Sequence, residues 1–121
     1  MNLTNGFWWI IAIGAVCILV GIFCAPLFYQ VDNLGILDWD HHLFLLGSIQ
    51  KSITDYSQVP FWNPWYCGGS VLFQHPQVPI LSLAYVLTPF LGLLMAIKLT
   101  IVVHYGIALF GMILLARKAY G

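Results

Sequence analysis

The sequence predicts an all-α membrane protein: two full transmembrane helices flank an exoplasmic loop that carries an amphipathic helix. Three observations lead there. Of 121 residues, 61% are hydrophobic and only 7% charged, where a soluble domain carries about 25% charged residues. The polar surface that keeps a folded chain in water is missing, so a bilayer is the expected solvent. Two apolar runs are each long enough to cross it. All four acidic residues (Asp32, Asp38, Asp40 and Asp55) fall in the stretch between those runs.

The first run covers 7–29 and is apolar almost throughout. As helix it measures roughly 34 Å, against a hydrocarbon core of about 30 Å. Trp8 and Trp9 at one end and Tyr29 at the other suit the two interfaces. No Lys or Arg precedes the run, and it exceeds the about 7–15 residues of a signal-peptide core. Residues 1–29 are therefore expected as an uncleaved first span.

Composition changes over 30–79. Asp32-Asn33-Leu34-Gly35 reads as a turn. His42, Leu45, Leu46, Ile49, Ile53 and Tyr56 then recur at three- and four-residue steps, with Ser48, Lys51, Ser52 and Asp55 on other faces. This periodicity predicts an amphipathic helix over about 41–56, lying along the interface or on the membrane domain. Asp40 is its expected N-cap, where a carboxylate favours the helix by about 0.3–1 kcal/mol. Past Val59, the density of Pro60, Pro64, Gly68, Gly69, Pro76 and Pro79 excludes a regular helix. An ordered, aromatic-rich loop is expected there.

The last third admits two topologies: two short spans turning at Lys98, or an interfacial or re-entrant segment (80–92) followed by one span (93–121). The second is preferred. No turn residue surrounds Lys98, Pro89 interrupts the first half, and the basic pair Arg117-Lys118 belongs on the cytoplasmic side. That places the N-terminus inside and the 30–79 loop outside, with Lys98 snorkelling to the outer interface. His104 then falls within the second span. An intramembrane ionisable group is a functional candidate, and a neutral histidine bonded to a neighbouring helix is the plainer expectation.

With only Lys51, Lys98, Arg117 and Lys118 as fixed cations and zero formal net charge, there is no basic patch, which excludes nucleic-acid binding. Three cysteines, Cys17, Cys24 and Cys67, supply no disulfide framework. The chemistry is concentrated in the loop. A carboxylate from Asp38 or Asp40 can serve as general base toward a hydroxyl. Alternatively, Asp38, Asp40 and His41, with the adjacent His42 and with His75 joining from the later loop, offer ligands for a divalent cation, although the spacing matches no established metal motif. Trp39, Trp62, Trp65 and Tyr66 carry large amphipathic rings that anchor at headgroups or stack on sugars. Asn63, Gln74 and Gln77 add uncharged hydrogen-bonding groups, and Gly68-Gly69 permits close backbone approach.

The order of these features carries a resemblance. Asp38-Trp39-Asp40 follows the first span and the amphipathic helix follows it. Then come Val59-Pro60-Phe61-Trp62-Asn63-Pro64-Trp65-Tyr66-Cys67-Gly68-Gly69, Pro76-Gln77, a mid-span His104, Gly111-Met112 and Arg117-Lys118. From Asp38 to Lys118 the chain resembles the N-terminal part of the YfhO-like bacterial membrane proteins, related to the polytopic glycosyltransferases of the GT-C fold. It departs from that pattern at Val78-Pro79, where a small polar residue is expected.

The resemblance implies a GT-C-like polytopic fold of which these residues are an N-terminal fragment, placed in the bacterial cytoplasmic (inner) membrane. It implies a sugar taken from a polyprenyl-phosphate carrier and placed on an exoplasmic hydroxyl, with Asp38 the first and Asp40 the second candidate for the base. Trp62, Asn63 and Gln77 would shape the pocket. The partners implied are membrane lipid, the lipid-linked sugar and the remainder of the chain. Two alternatives compete. One is a non-catalytic membrane protein that binds lipid-linked glycan or supports envelope polymer assembly or transport. The other is a small two-span accessory subunit.

Overall fold

The computed structural model describes residues 3–30, 32, 34, 38–78 and 80–120. The protein is mostly helical, and two of its helices are long and apolar enough to cross a membrane. The elements run α1 (Leu3–Cys24), α2 (Pro26–Tyr29), α3 (Trp39–Thr54), β1 (Trp62–Asn63), β2 (Ser70–Val71), α4 (Leu83–Leu91) and α5 (Leu93–Tyr120). They form two compact units. Residues 1–29 and 100–121 make one, and 30–99 the other, so α5 contributes to both.

In the first unit, α1 stops at Cys24, short of the continuous run to residue 29 that composition suggests. Pro26 is the reason. It disfavours helical backbone at the preceding residue and has no N–H to continue the ladder. The chain restarts as the single turn α2 with the proline in first position. Apolar side chains stand exposed along the length of α1, among them Phe7, Ile10, Ile18 and Ile22. The N-terminal part of α1 meets the C-terminal part of α5: Trp9 lies 5.9 Å from Phe110, and the Arg117 guanidinium sits 4.9 Å from the Trp9 ring centre.

The second unit has a protein core of its own. Leu34, Leu45, Leu46, Ile49, Leu72, Ala84, Ala96 and Ile97 are buried, and α3 packs on α4. Ser48 and Ser52 are buried as well, whereas Ile53 and Tyr56 are exposed. This corrects the periodicity reading of α3, and the hydroxyls explain it. Ser48 Oγ donates to the Phe44 carbonyl at 2.8 Å and Ser52 Oγ to the Ser48 carbonyl at 2.9 Å. Satisfied within their own helix, both serines enter the core without an unpaired polar group.

Between α3 and α4 the chain forms a short antiparallel hairpin, with Trp62 opposite Val71 and Asn63 opposite Ser70. A further bond from the Leu72 N–H to the Phe61 carbonyl extends the pairing. Ser82 caps α4, its Oγ accepting from the Tyr85 N–H at 3.2 Å. Pro89 lies inside α4. The break before α5 falls at Gly92, whose φ of 77° is a conformation glycine adopts without a side-chain clash.

No turn occurs at Lys98. It lies within α5, is fully buried, and its Nζ donates to the Gln30 carbonyl at 2.5 Å. Its ammonium is held inside the protein rather than extended into solvent. The first turns of α5 are enclosed by the second unit, where a buried ammonium requires an acceptor from the protein.

Candidate functional site

The acidic segment meets α3 at its N-terminus. Asp38, not Asp40, occupies the N-cap, and its side chain makes no capping hydrogen bond. Its backbone is already helical, with φ −70° and ψ −10°, whereas a capping side chain normally reaches back from extended backbone. Asp40 is in the first helical turn, where its charge opposes the positive end of the helix dipole. Both aspartates are exposed. Among the described residues the Asp38 carboxylate makes no capping bond and stands open to solvent, where a ligand can reach it.

From there, one face of α3 presents His41, Phe44, Ser48 and Lys51, spaced by three, four and three residues. The loop that closes the hairpin lies along this face. Tyr66 packs against the first turns, with ring centres 5.9 Å from both His41 and Phe44. Trp65 packs further along, 5.3 Å from Lys51 Nζ and 6.0 Å from Tyr56. Trp39 and His42 form an edge-on pair at 6.1 Å, and His42 stands 6.2 Å from His41. Trp65 and Tyr66 each remain 40% exposed, so part of each ring is open to a ligand or to a lipid headgroup.

The hairpin owes its shape to two residues. Asn63 is fully buried, and its Oδ1 accepts from the Trp65 N–H at 3.0 Å. That bond fixes the amide orientation and leaves Nδ2 without a hydrogen-bond partner among the described residues. Asn63 thus forms the turn from inside the hairpin rather than presenting itself on its surface. Gly69, at φ 111°, lies flat against the Trp62 indole; a Cβ there would stand 2.3 Å from Trp62 Cζ2. Cys67 and Gly68 also have positive φ, so three successive residues carry the loop through left-handed backbone.

Trp62 borders a cleft of 470 Å³ lined by Ser52, Gln58, Val59, Phe61 and Pro64. A second cleft of 530 Å³ shares Gln58 and Val59 and is completed by Ile53, Ser57, Pro60 and Ile80. Asp38 and Asp40 line neither. Gln77 is exposed and also lies off both clefts, its N–H 3.3 Å from His75 Nδ1. Among the described residues no three His, Cys, Asp or Glu side chains are grouped to hold a metal ion. Asp38, Asp40 and His41 stay neighbours in sequence without forming such a cluster.

The structure therefore gathers Trp65, Tyr66 and His41 on one face of α3, with the two carboxylates at its head. It sets Trp62 beside a separate cleft and Asn63 inside the hairpin. Phe44 and Gln58 belong to these surfaces without having been singled out in the sequence, and Lys51 and Tyr56, placed on the amphipathic helix by its periodicity, meet Trp65 there. The helical spacing from His41 to Lys51 was the available signal. His104 is exposed on α5, and its Nδ1 lies 2.7 Å from the Thr100 carbonyl one turn earlier, so the ring bonds within its own helix. No family model, no curated protein and no solved structure matches the chain.

Proposed function

We propose that the protein is the N-terminal portion of an integral-membrane glycosyltransferase of the GT-C type. It moves a sugar from a polyprenyl-phosphate carrier to an exoplasmic hydroxyl in the bacterial cytoplasmic membrane. The observation that carries this reading is the pair of exposed aspartates at the head of the aromatic face of α3, of which Asp38, at the N-cap, makes no capping bond. Asp38, with Asp40 as the alternative, takes the proton of the acceptor hydroxyl as its oxygen bonds the anomeric carbon. The bond from that carbon to the phosphate oxygen breaks, and its electron pair leaves with the lipid phosphate. Tyr66, Trp65 and Trp39 supply ring faces on which sugars stack. The meeting of the start of α1 with the end of α5 supports an orientation with the N-terminus and Arg117-Lys118 inside and the loop outside.

Sugar transfer by the full-length protein in vesicles supplied with a polyprenyl-phosphate-linked sugar tests the assignment. Asp38→Asn or Asp40→Asn lowers the rate by about 10²–10⁴-fold, the usual contribution of a general base, with the membrane level of protein unchanged. Full activity in both variants overturns it.

A second reading has its own observation: neither carboxylate lines a cleft, while Trp62 does. A non-catalytic protein would bind lipid-linked glycan on these aromatic surfaces without turning it over. Its signature is glycan binding that survives loss of both carboxylates, with no product formed by the unaltered protein.

A further inference from the structure

The first unit contains a cleft that the proposed reaction does not use. It measures 380 Å³ and is lined by Trp8, Trp9 and Ala12 of α1 and by Ile113 and Arg117 of α5. That volume falls in the range of about 300–1,000 Å³ common for small-molecule sites. Among the described residues its lining side chains are apolar except for the indole N–H groups and one guanidinium. Arg117 is stacked on Trp9 at 4.9 Å, a geometry that orients the guanidinium plane while leaving its edge donors available. No Asp or Glu side chain occurs in 1–29 or 100–121, so the unit contains no side-chain carboxylate to neutralise the charge.

The position of the cleft narrows the occupant. It lies at the ends of two helices long and apolar enough to cross a membrane, at the level where Trp rings and basic residues mark an interface. A ligand there has an anionic head for Arg117 and an apolar body for Ala12 and Ile113. Basic pockets between spanning helices recognise anionic lipid head groups by this same combination. We infer that the cleft between α1 and α5 holds an anionic glycerophospholipid. Arg117 binds its phosphate by charge-assisted hydrogen bonds, and Trp8 and Trp9 cover the glycerol and first acyl carbons.

The test uses full-length protein in mild detergent, exchanged with phosphatidylglycerol or with phosphatidylcholine of the same chains. Native mass spectrometry reads the retained lipid. The unaltered protein retains phosphatidylglycerol and loses phosphatidylcholine. Arg117→Gln lowers that retention by about tenfold or more, as expected for losing hydrogen bonds to a charged group. Arg117→Lys keeps the charge without the forked donors and falls between the two. Equal retention of both lipids by the unaltered protein overturns the inference, and that comparison needs no variant to fold. Unchanged retention in Arg117→Gln overturns the role of the guanidinium. Displacement of the lipid by excess inorganic phosphate alone overturns the lipid assignment in favour of a simple anion site.

Discussion

α1 and α3 are both rich in large apolar residues, yet they treat them in opposite ways. In α1, Phe7, Ile10, Ile18 and Ile22 are 63–70% exposed; in α3, Leu45, Leu46 and Ile49 are at most 3% exposed. With α1 placed in lipid and α3 in water, as proposed, the difference reflects what each helix needs from its surroundings. In hydrocarbon, a helix satisfies every backbone group within itself, and apolar side chains can face lipid without penalty. In water, the same side chains must find protein partners, and α3 finds them within the second unit. The polar side chains follow the same rule in both places: Ser48, Ser52 and His104 each bond a carbonyl one turn back in their own helix.

The contrast is sharpest at isoleucine. Ile49→Ala opens a cavity in the core beneath α3 and lowers stability by about 2–5 kcal/mol. Ile18→Ala, on a surface that lipid can cover, changes it by less than about 1 kcal/mol, since lipid fills the space left. Thermal unfolding of the full-length protein in detergent measures both. Equal losses would erase the distinction between the two units.

A smaller effect separates two glycines. Gly69→Ala forces a side chain onto backbone at φ 111° and into the Trp62 ring, a cost of about 1–3 kcal/mol from backbone strain alone. The near-ultraviolet circular dichroism of the packed tryptophan should weaken with it. Gly14→Ala meets nothing within 4 Å in the middle of α1. It should raise stability slightly, by up to about 1 kcal/mol, because alanine favours the helix. A destabilising Gly14→Ala would mean that α1 is closely packed at that point.

The sequence made the apolar helices readable because composition alone sets them: few other segments in the chain are long and uncharged. Several features were not readable, each for a local reason. Lys98 is buried because its acceptor is the carbonyl of Gln30, 68 residues away, and no helical spacing reveals that partner. Ser48 and Ser52 look solvent-facing by polarity and become core residues through bonds to their own helix. The hairpin strands are two residues each, too short for alternation to register. Asn63 reads as a surface hydrogen-bonder, but its bond to the Trp65 N–H turns it inward. Within the candidate site, the acidic pair and the aromatic loop were legible as a concentration of unusual residues. Their separation into a face of α3 and a cleft beside Trp62 required the fold.

The central claim of the proposed function is that the apolar helices, long enough to cross a membrane, lie in lipid while the segment between them meets water outside it. The protein's own cysteines test it most directly. Cys17 and Cys67 are both exposed, and Cys24 is buried, so only the surroundings distinguish the first two. Maleimide reagents attack the thiolate, which forms in water and not in hydrocarbon. With a membrane-impermeant maleimide applied to intact cells carrying single-cysteine variants of the full-length protein, Cys67 should label while Cys17 and Cys24 stay unmodified. Labelling of Cys17 at the rate of Cys67, or of Cys67 only after the membrane is opened, would contradict the account.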